Sequence, residues 1–252
     1  MRNQALRTIV PPVALGIVAL ILWQVVVDVG NVQPYLLPAP TAVLTQLQLV
    51  MPVLLTSTLA TGGNALFGLL AGALAAIVVA LLASRITVVD ELVTPIVAAI
   101  AVIPIVALAP VLTTMYGATS ETPRRLIVAI VVFVPVFVNT LRGLRQVLPV
   151  HRDLMRAYAA SSLQISRTVT IPGALPYVFT GLNIASSLAV ISAIVAEYFG
   201  GLQNGLGSRI TSAAANSAYP RAYAYVIGAI VLGIVFYLAT LAIEKAVSRR
   251  HG

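Results

Sequence analysis

Cysteine is absent from this chain of 252 residues, lysine occurs once and histidine twice. Without thiols there can be no disulfide, thiolate nucleophile or cysteine-bound metal, and cysteine usage says nothing of the redox compartment. His151 and His251 have no partner at metal-ligand spacing, so the reading is of no metal and no catalytic residue. The lone lysine, Lys245, stands in Ile243-Glu244-Lys245-Ala246 with no glycine-rich turn before it, which excludes a phosphate-binding loop. Charge is scarce as well. Charged residues make up 9% of the chain, where a soluble domain carries about a quarter. With 60% apolar residues and a mean hydropathy of +1.01, an ordinary soluble enzyme, a disordered chain and a nucleic-acid binder are all excluded.

What the chain does have is long apolar runs. A spanning helix needs about 20 such residues, because hydrocarbon offers the backbone no hydrogen bonds. Six stretches qualify, at about 9–29, 54–83, 92–112, 126–141, 175–196 and 222–243. The expected fold is an all-α polytopic membrane protein of six transmembrane helices, a single transmembrane domain over residues 1–252. The first run is too long for a signal-peptide core and no small-residue cleavage site ends it, so it reads as a retained span.

With the N-terminus inside, the inner segments hold Arg2, Arg7, Arg85, Arg142, Arg145, Arg152, Arg156, Arg167, Lys245, Arg249 and Arg250. The outer ones hold Arg124, Arg125, Arg209 and Arg221. This bias is the positive-inside pattern, and it calls for an even number of spans with both termini cytoplasmic. The net charge of +8 is then an orientation signal. Three connections are longer than turns. Residues 30–52, with Pro34, Pro38 and Pro40, are expected to be an extended outer segment. Residues 142–172 form a polar inner loop. Residues 198–220 hold Gly200, Gly201, Gly205 and Gly207 and read as a flexible or re-entrant outer loop.

The inner loop offers a docking element. Asp153 with Arg156, and Leu154 with Tyr158, have the spacing to share a helix face. Ser161-Ser162-Leu163-Gln164 then has the form of a capping box that opens a second helix, which Pro172 is expected to stop. A small cytoplasmic helix–turn–helix and a solvated linker both fit this periodicity. In the fifth span Asn183, Ser186, Ser187 and Glu197 fall within a sector of roughly 100°, with Ser192 opposite. Two readings stay open: Glu197 and this stripe line a pathway gated by Tyr198 and the glycine loop, or Glu197 anchors that loop by pairing with Arg209 or Arg221. The Gly68-Leu69-Leu70-Ala71-Gly72 spacing reads as packing within the chain. Few ionisable groups read as lying in the spans, so an energised partner is expected to supply the work of any transport.

Asp153 to Pro172, DLMRAYAASSLQISRTVTIP, resembles the cytoplasmic loop of binding-protein-dependent ABC importer permeases, whose pattern is EAA, three residues, G, nine residues, I-x-L-P. Asp153-Leu154-Met155 stands for the triad, Ala159 for the glycine, and Val169, Ile171 and Pro172 for the I, L and P. Asp for Glu and Ala for Gly keep charge or smallness, while Leu154 and Met155 are looser departures. Leu37-Pro38-Ala39-Pro40, Ile103 to Pro110 closed by Tyr116-Gly117, Pro172 to Pro176 and Val195-Ala196-Glu197 are similar to segments of the nitrate, sulfonate and taurine permease group. Tyr158 to Ser161 resembles relatives for thiamine or riboflavin precursors.

The resemblance implies an importer subunit of the bacterial-type inner membrane for a small organic nutrient: a vitamin precursor, or a sulfonate-, nitrate- or taurine-type solute. A second permease subunit, as in a homodimer, completes the path. ATPase subunits carrying ATP and Mg bind the loop as a coupling helix, and an extracytoplasmic binding protein delivers the solute. Asp153, Leu154, Met155, Arg156, Tyr158, Ala159, Ser161 and Pro172 would form the coupling contact, and this chain itself would hold no cofactor. The rival classes are a self-sufficient secondary transporter or channel, which would show an internal repeat or several intramembrane charges, and a non-transporting scaffold.

Overall fold

A computed structural model describes residues 2–146 and 149–248; Arg249, Arg250 and His251 lie outside the described residues. The described residues form ten α-helices and one π turn. Helix α1 is Arg2–Val29, α2 Pro40–Ala83, α3 Thr87–Ala101, α4 Ile105–Tyr116 and α5 Thr122–Arg145. Then come α6 Pro149–Ala157, α7 Ser162–Ile165, the π turn Ser166–Thr170, α8 Ile171–Tyr198, α9 Leu206–Ala215 and α10 Tyr219–Ser248.

Helices α2, α5, α8 and α10 form the core, and α8 packs against α2, α5, α9 and α10 while Thr180, Ile184, Ile191 and Tyr198 leave one stripe of it exposed. Small residues allow this. Ala65, Ala76, Ala80, Ala185, Ala189 and Ala193 have no exposed surface. A methyl added at Gly68 would come 2.9 Å from the Arg125 carbonyl oxygen, and one at Gly72 2.9 Å from Ala129 Cα, so the glycine pair seats α2 on α5 of its own chain. Helix α1 stands apart: most of it is exposed, and it touches the bundle through Trp23, whose ring lies 6.1 Å from that of Tyr223.

The ends of the bundle can be assigned from its bonds. At one end, called here the loop end, Arg85 after α2 donates to Ser166 in the π turn, and Arg145 of α5 pairs with Asp90 of α3 at 2.5 Å. At the other, the glycine end, Glu121 before α5 accepts from Asn204 of the glycine loop at 2.8 Å. Arg221 of α10 bonds Gln46 of α2 there, and Gln24 of α1 accepts from the Thr41 amide. Five helical stretches are each long and apolar enough to cross a membrane. The pair α3–α4, bent by 102°, starts at the loop end and finishes at the glycine end, so it makes one broken crossing and not a re-entrant hairpin.

Three expectations are corrected. The second expected span belongs to a helix of 44 residues that begins at Pro40, so residues 40–52 are helical and not extended. Pro40 sits in the first helical turn, where a missing N–H costs nothing. At about 66 Å, α2 is roughly twice the thickness of the hydrocarbon core and projects well past it. The glycine-rich stretch is not wholly loop, since Gly205 is the N-cap of the ten-residue α9. Nor does Pro172 end a helix. The chain runs from α7 through the π turn into α8, and the wider turn just before Pro172 makes room for its ring and its missing donor.

Candidate functional site: a docking loop and a bonded outer frame

The loop end carries a compact module built by its own sequence. Helix α6 closes with a Schellman motif: the Ala160 amide bonds the Met155 carbonyl at 3.0 Å and the Ala159 amide bonds that of Arg156 at 2.9 Å. That motif requires a left-handed residue, and Ala159 supplies it with φ 55°. The smallness read at 159 is therefore a backbone requirement, one that glycine meets without strain and alanine meets at a cost of about 1 kcal/mol.

The turn then delivers Ser161, whose Oγ accepts from the Gln164 amide at 3.4 Å while Gln164 Oε1 accepts from the Ser161 amide at 2.7 Å. This is the expected capping box, and it opens the continuous helix that becomes α8. The structure thus forms the helix–turn–helix in place of a plain linker. Leu154 and Tyr158 are 53% and 77% exposed, and Asp153 and Arg156 pair at 3.4 Å on the same open surface. Met155 is half-buried beneath them, and Pro172 lies a helix away at the base of α8.

The other sequence-derived cluster lies elsewhere and is of another kind. Glu197, at the end of α8, has 1% of its surface exposed. Thr61 Oγ1 of α2 lies 3.0 Å from both carboxyl oxygens, the Gly207 amide donates to Oε2 at 2.8 Å, and Arg124 Nη1 of α5 is 3.9 Å from Oε1. Thr61 Oγ1 also accepts from the Leu206 amide at 2.8 Å. The first amides of α9, whose N-cap glycine has no side chain, are thereby capped from α2 and α8. A side chain at Gly205 would run into the Glu197 carboxyl.

Around this pair lies a second ring of bonds. Glu121 Oε2 accepts from Asn64 at 2.5 Å and lies 3.3 Å from Arg124, which also donates to Asn204 at 2.7 Å and to the Leu202 carbonyl. Arg125 donates to Asn64 at 3.0 Å. Burial alone would raise the Glu121 pKa; hydrogen bonds from Asn204 and Asn64 and the charges of Arg124 and Arg125 outweigh it and hold the carboxyl below its ordinary range.

The expected partner of Glu197 is therefore corrected. It is Arg124, and neither Arg209 nor Arg221 pairs with it among the described residues. Nor does burial set the stripe apart from Ser192: Ser186 and Ser192, about 120° apart around α8, are both buried and both bond back to their own helix. Asn183 donates to Glu244 of α10 at 2.7 Å, and its buried Oδ1 has no partner among the described residues. Ser187 is half-buried, and Tyr198 is 39% exposed at the glycine end. Sequence reasoning missed Glu121, Arg124, Asn64, Thr61 and Glu244. Two buried-prone polar residues on one helix, Thr61 and Asn64, were a usable signal, since polar groups inside an apolar span need partners.

Residues 68–251 match the model of a family described as binding-protein-dependent transport system inner membrane component. A probable ABC transporter permease protein of Haemophilus influenzae is 32% identical over 202 residues, 80% of this chain and 81% of that one. The formylaminopyrimidine transport permease protein ThiX of Halalkalibacterium halodurans is 30% identical over 197 residues, 78% of each chain. A solved structure, described as a crystal structure of an amino acid ABC transporter with histidines, superposes with a TM-score of 0.63 at 18% identity, covering 79% of this chain and 94% of that one; it shares the fold.

Proposed function

The chain belongs to the family of binding-protein-dependent transport system inner membrane components, the permease subunits of ABC importers, and from that premise we propose how its two ends divide the work. The loop end is the cytoplasmic one, so that six crossings leave both termini in the cytoplasm of a cell bounded by a bacterial-type inner membrane; the bias of Arg and Lys toward that end supports this. Module α6–α7 docks on a separate ATPase subunit, which holds ATP and Mg. Leu154, Met155 and Tyr158 form the apolar contact, Asp153 and Arg156 its polar rim, Ala159 and Ser161 the turn that fixes the module's angle, and Pro172 the junction with α8. The observation that carries this reading is the exposed Leu154–Tyr158 face on a helix closed at its C-terminal end by a Schellman turn that leads into the capping box of α7. A Leu and a Tyr side by side on an open helix face next to a charge pair suit a contact with another protein.

Because α7, the π turn and α8 are one continuous helix, displacement of the module would be carried into the core of the bundle. For the solute path, completed by a second copy of the chain, we assign Asn183, with its unpaired acceptor, and Ser187; Tyr198 stands at the outer mouth. Glu197 and Ser186 we assign to holding the frame. An extracytoplasmic binding protein would deliver solute to the glycine end.

The solute we propose is a planar nitrogen heterocycle, a vitamin precursor such as the pyrimidine in the name of the Halalkalibacterium relative. Exposed rings of Tyr116, Tyr198 and Phe199 at the glycine end suit such a solute, since aromatic faces stack on one another. The test is uptake in vesicles holding the permease with its ATPase and binding protein. Labelled aminopyrimidine should accumulate only with internal ATP, and accumulation without the ATPase subunit would overturn the assignment.

A further inference from the structure

Behind the docking module, between the end of α2 and the turn that opens α7, lies a cavity of about 270 Å³. It is lined by the guanidinium-bearing Arg85 and Arg156 and by the hydroxyl residues Ser162, Ser166 and Thr170. Arg85 donates to the buried Ser166 hydroxyl, a neutral acceptor, and among the described residues no carboxylate lies within ion-pair distance of it. A guanidinium has five N–H donors, so most of those on Arg85 remain available. Arg156 has a carboxylate, Asp153, but both side chains are more than two-thirds exposed, and such pairs are weak enough to exchange. The lining is thus positive and rich in hydroxyl groups, and it contains no acid.

We propose that this cavity is a socket for a carboxylate side chain of the ATPase subunit that docks on α6, held in a forked contact by Arg85 with Arg156 at its edge. The proposal rests on the docking reading above and adds the partner chemistry that reading leaves open. Apolar contact through Leu154 and Tyr158 supplies area but little angular selection. A bidentate charged contact beside it fixes how the partner is turned. It also joins the partner to the end of α2 and to the π turn at once, since Arg85 bonds Ser166 there. A carboxylate entering the socket would therefore meet the two elements whose relative position sets the angle between module and bundle.

The experiment is binding of the purified ATPase subunit to the full-length permease in neutral detergent, from about 50 to about 500 mM salt, where screening of an ion contact changes most. Arg85→Gln should weaken binding about tenfold at the low-salt end and flatten its salt dependence. Arg85→Lys keeps the charge but not the fork, so it should restore the salt dependence and recover only part of the loss. Ser166→Ala removes a lining hydroxyl and the internal acceptor but no charge, so it should weaken binding clearly less than Arg85→Gln and keep the salt dependence. The socket is overturned if Arg85→Gln binds like the parent, or if Ser166→Ala is as damaging as Arg85→Gln, which would make Arg85 an internal brace. An Arg85 effect confined to samples with added anionic lipid also overturns it, in favour of a headgroup phosphate. Tyr158→Asp separates the two levels. If it abolishes binding while Arg85→Gln does not, docking stands and the socket alone falls; if it binds like the parent, both fall.

Discussion

The two ends of this bundle are held in different ways. At the glycine end, Glu197, Arg124, Glu121, Asn64 and Thr61 come from three helices and the segment before α5, and they bond one another and the backbone at 202, 206 and 207. Most of these groups are buried, and together they fix α9 without a local cap. At the loop end, among the described residues, the side-chain bonds between elements include Arg85 to Ser166, Arg145 to Asp90, and Gln146 to the Gly173 carbonyl. The rest of the module is bonded within itself and open outward. A buried polar net loses a great deal if any member is removed, whereas a self-capped helix tolerates surface change. The comparison teaches that one end is built as a frame and the other as a contact surface, and mutations should therefore separate stability from coupling.

The largest effect is expected from Glu197→Leu, which leaves the buried Gly207 amide and Thr61 hydroxyl without their carboxylate acceptor and takes a negative charge from beside the buried Arg124. A loss of about 3 kcal/mol is expected, read as a lowered Tm of the detergent-solubilised protein. Glu197→Gln keeps one acceptor oxygen and should lose less. Equal Tm values for parent and Glu197→Leu would break the claim that this end is a frame.

Next is Gly207→Ala. Its added methyl would lie 2.8 Å from Glu197 Cβ, forcing α9 off α8 at about 1–3 kcal/mol. Trypsin cleavage at Arg209, faster in the variant than in the parent, would report the loosening.

Why these effects were not legible beforehand is a matter of geometry. The spans were legible because apolar runs of that length have one stable solution in a bilayer. The Ser161–Gln164 box was legible because a capping box is a purely local bond pattern. The extent of α2 was not, since Pro40 reads as a breaker while its place in the first helical turn costs nothing, and the helix continues through Pro52. Helical periodicity showed on which side of α8 Glu197 projects. It could not show that α2, α5, α9 and α10 cover the sides of that helix carrying Ser186, Ser192 and Glu197 and leave the stripe of Ile184 and Ile191 exposed. Likewise the tight turn at Ala159 was hidden, because only the backbone shows that φ is positive there.

A smaller effect, of opposite sign, sharpens the contrast at the loop end. Ala159→Gly relieves the left-handed alanine and should stabilise the module by about 1 kcal/mol, seen as slower hydrogen exchange across residues 154–160 with uptake retained. Faster exchange would contradict the Schellman assignment.

The smallest is a pH effect. The Glu121 carboxyl is held below its ordinary 4.5, so its contribution is complete above that pH and is lost as pH falls through the lower folded value. A thiol reporter at Gln203 should become more reactive toward a pH-insensitive probe only in that acid range, and Glu121→Gln should abolish the change.

The most direct test uses the absence of native cysteine. A single cysteine in place of Tyr158 would be exposed to an impermeant thiol reagent in inside-out vesicles, with and without the ATPase subunit. The account predicts labelling from the cytoplasmic face that the ATPase suppresses, and no labelling in right-side-out vesicles. Labelling from outside, or labelling from inside that the ATPase leaves unchanged, would contradict it.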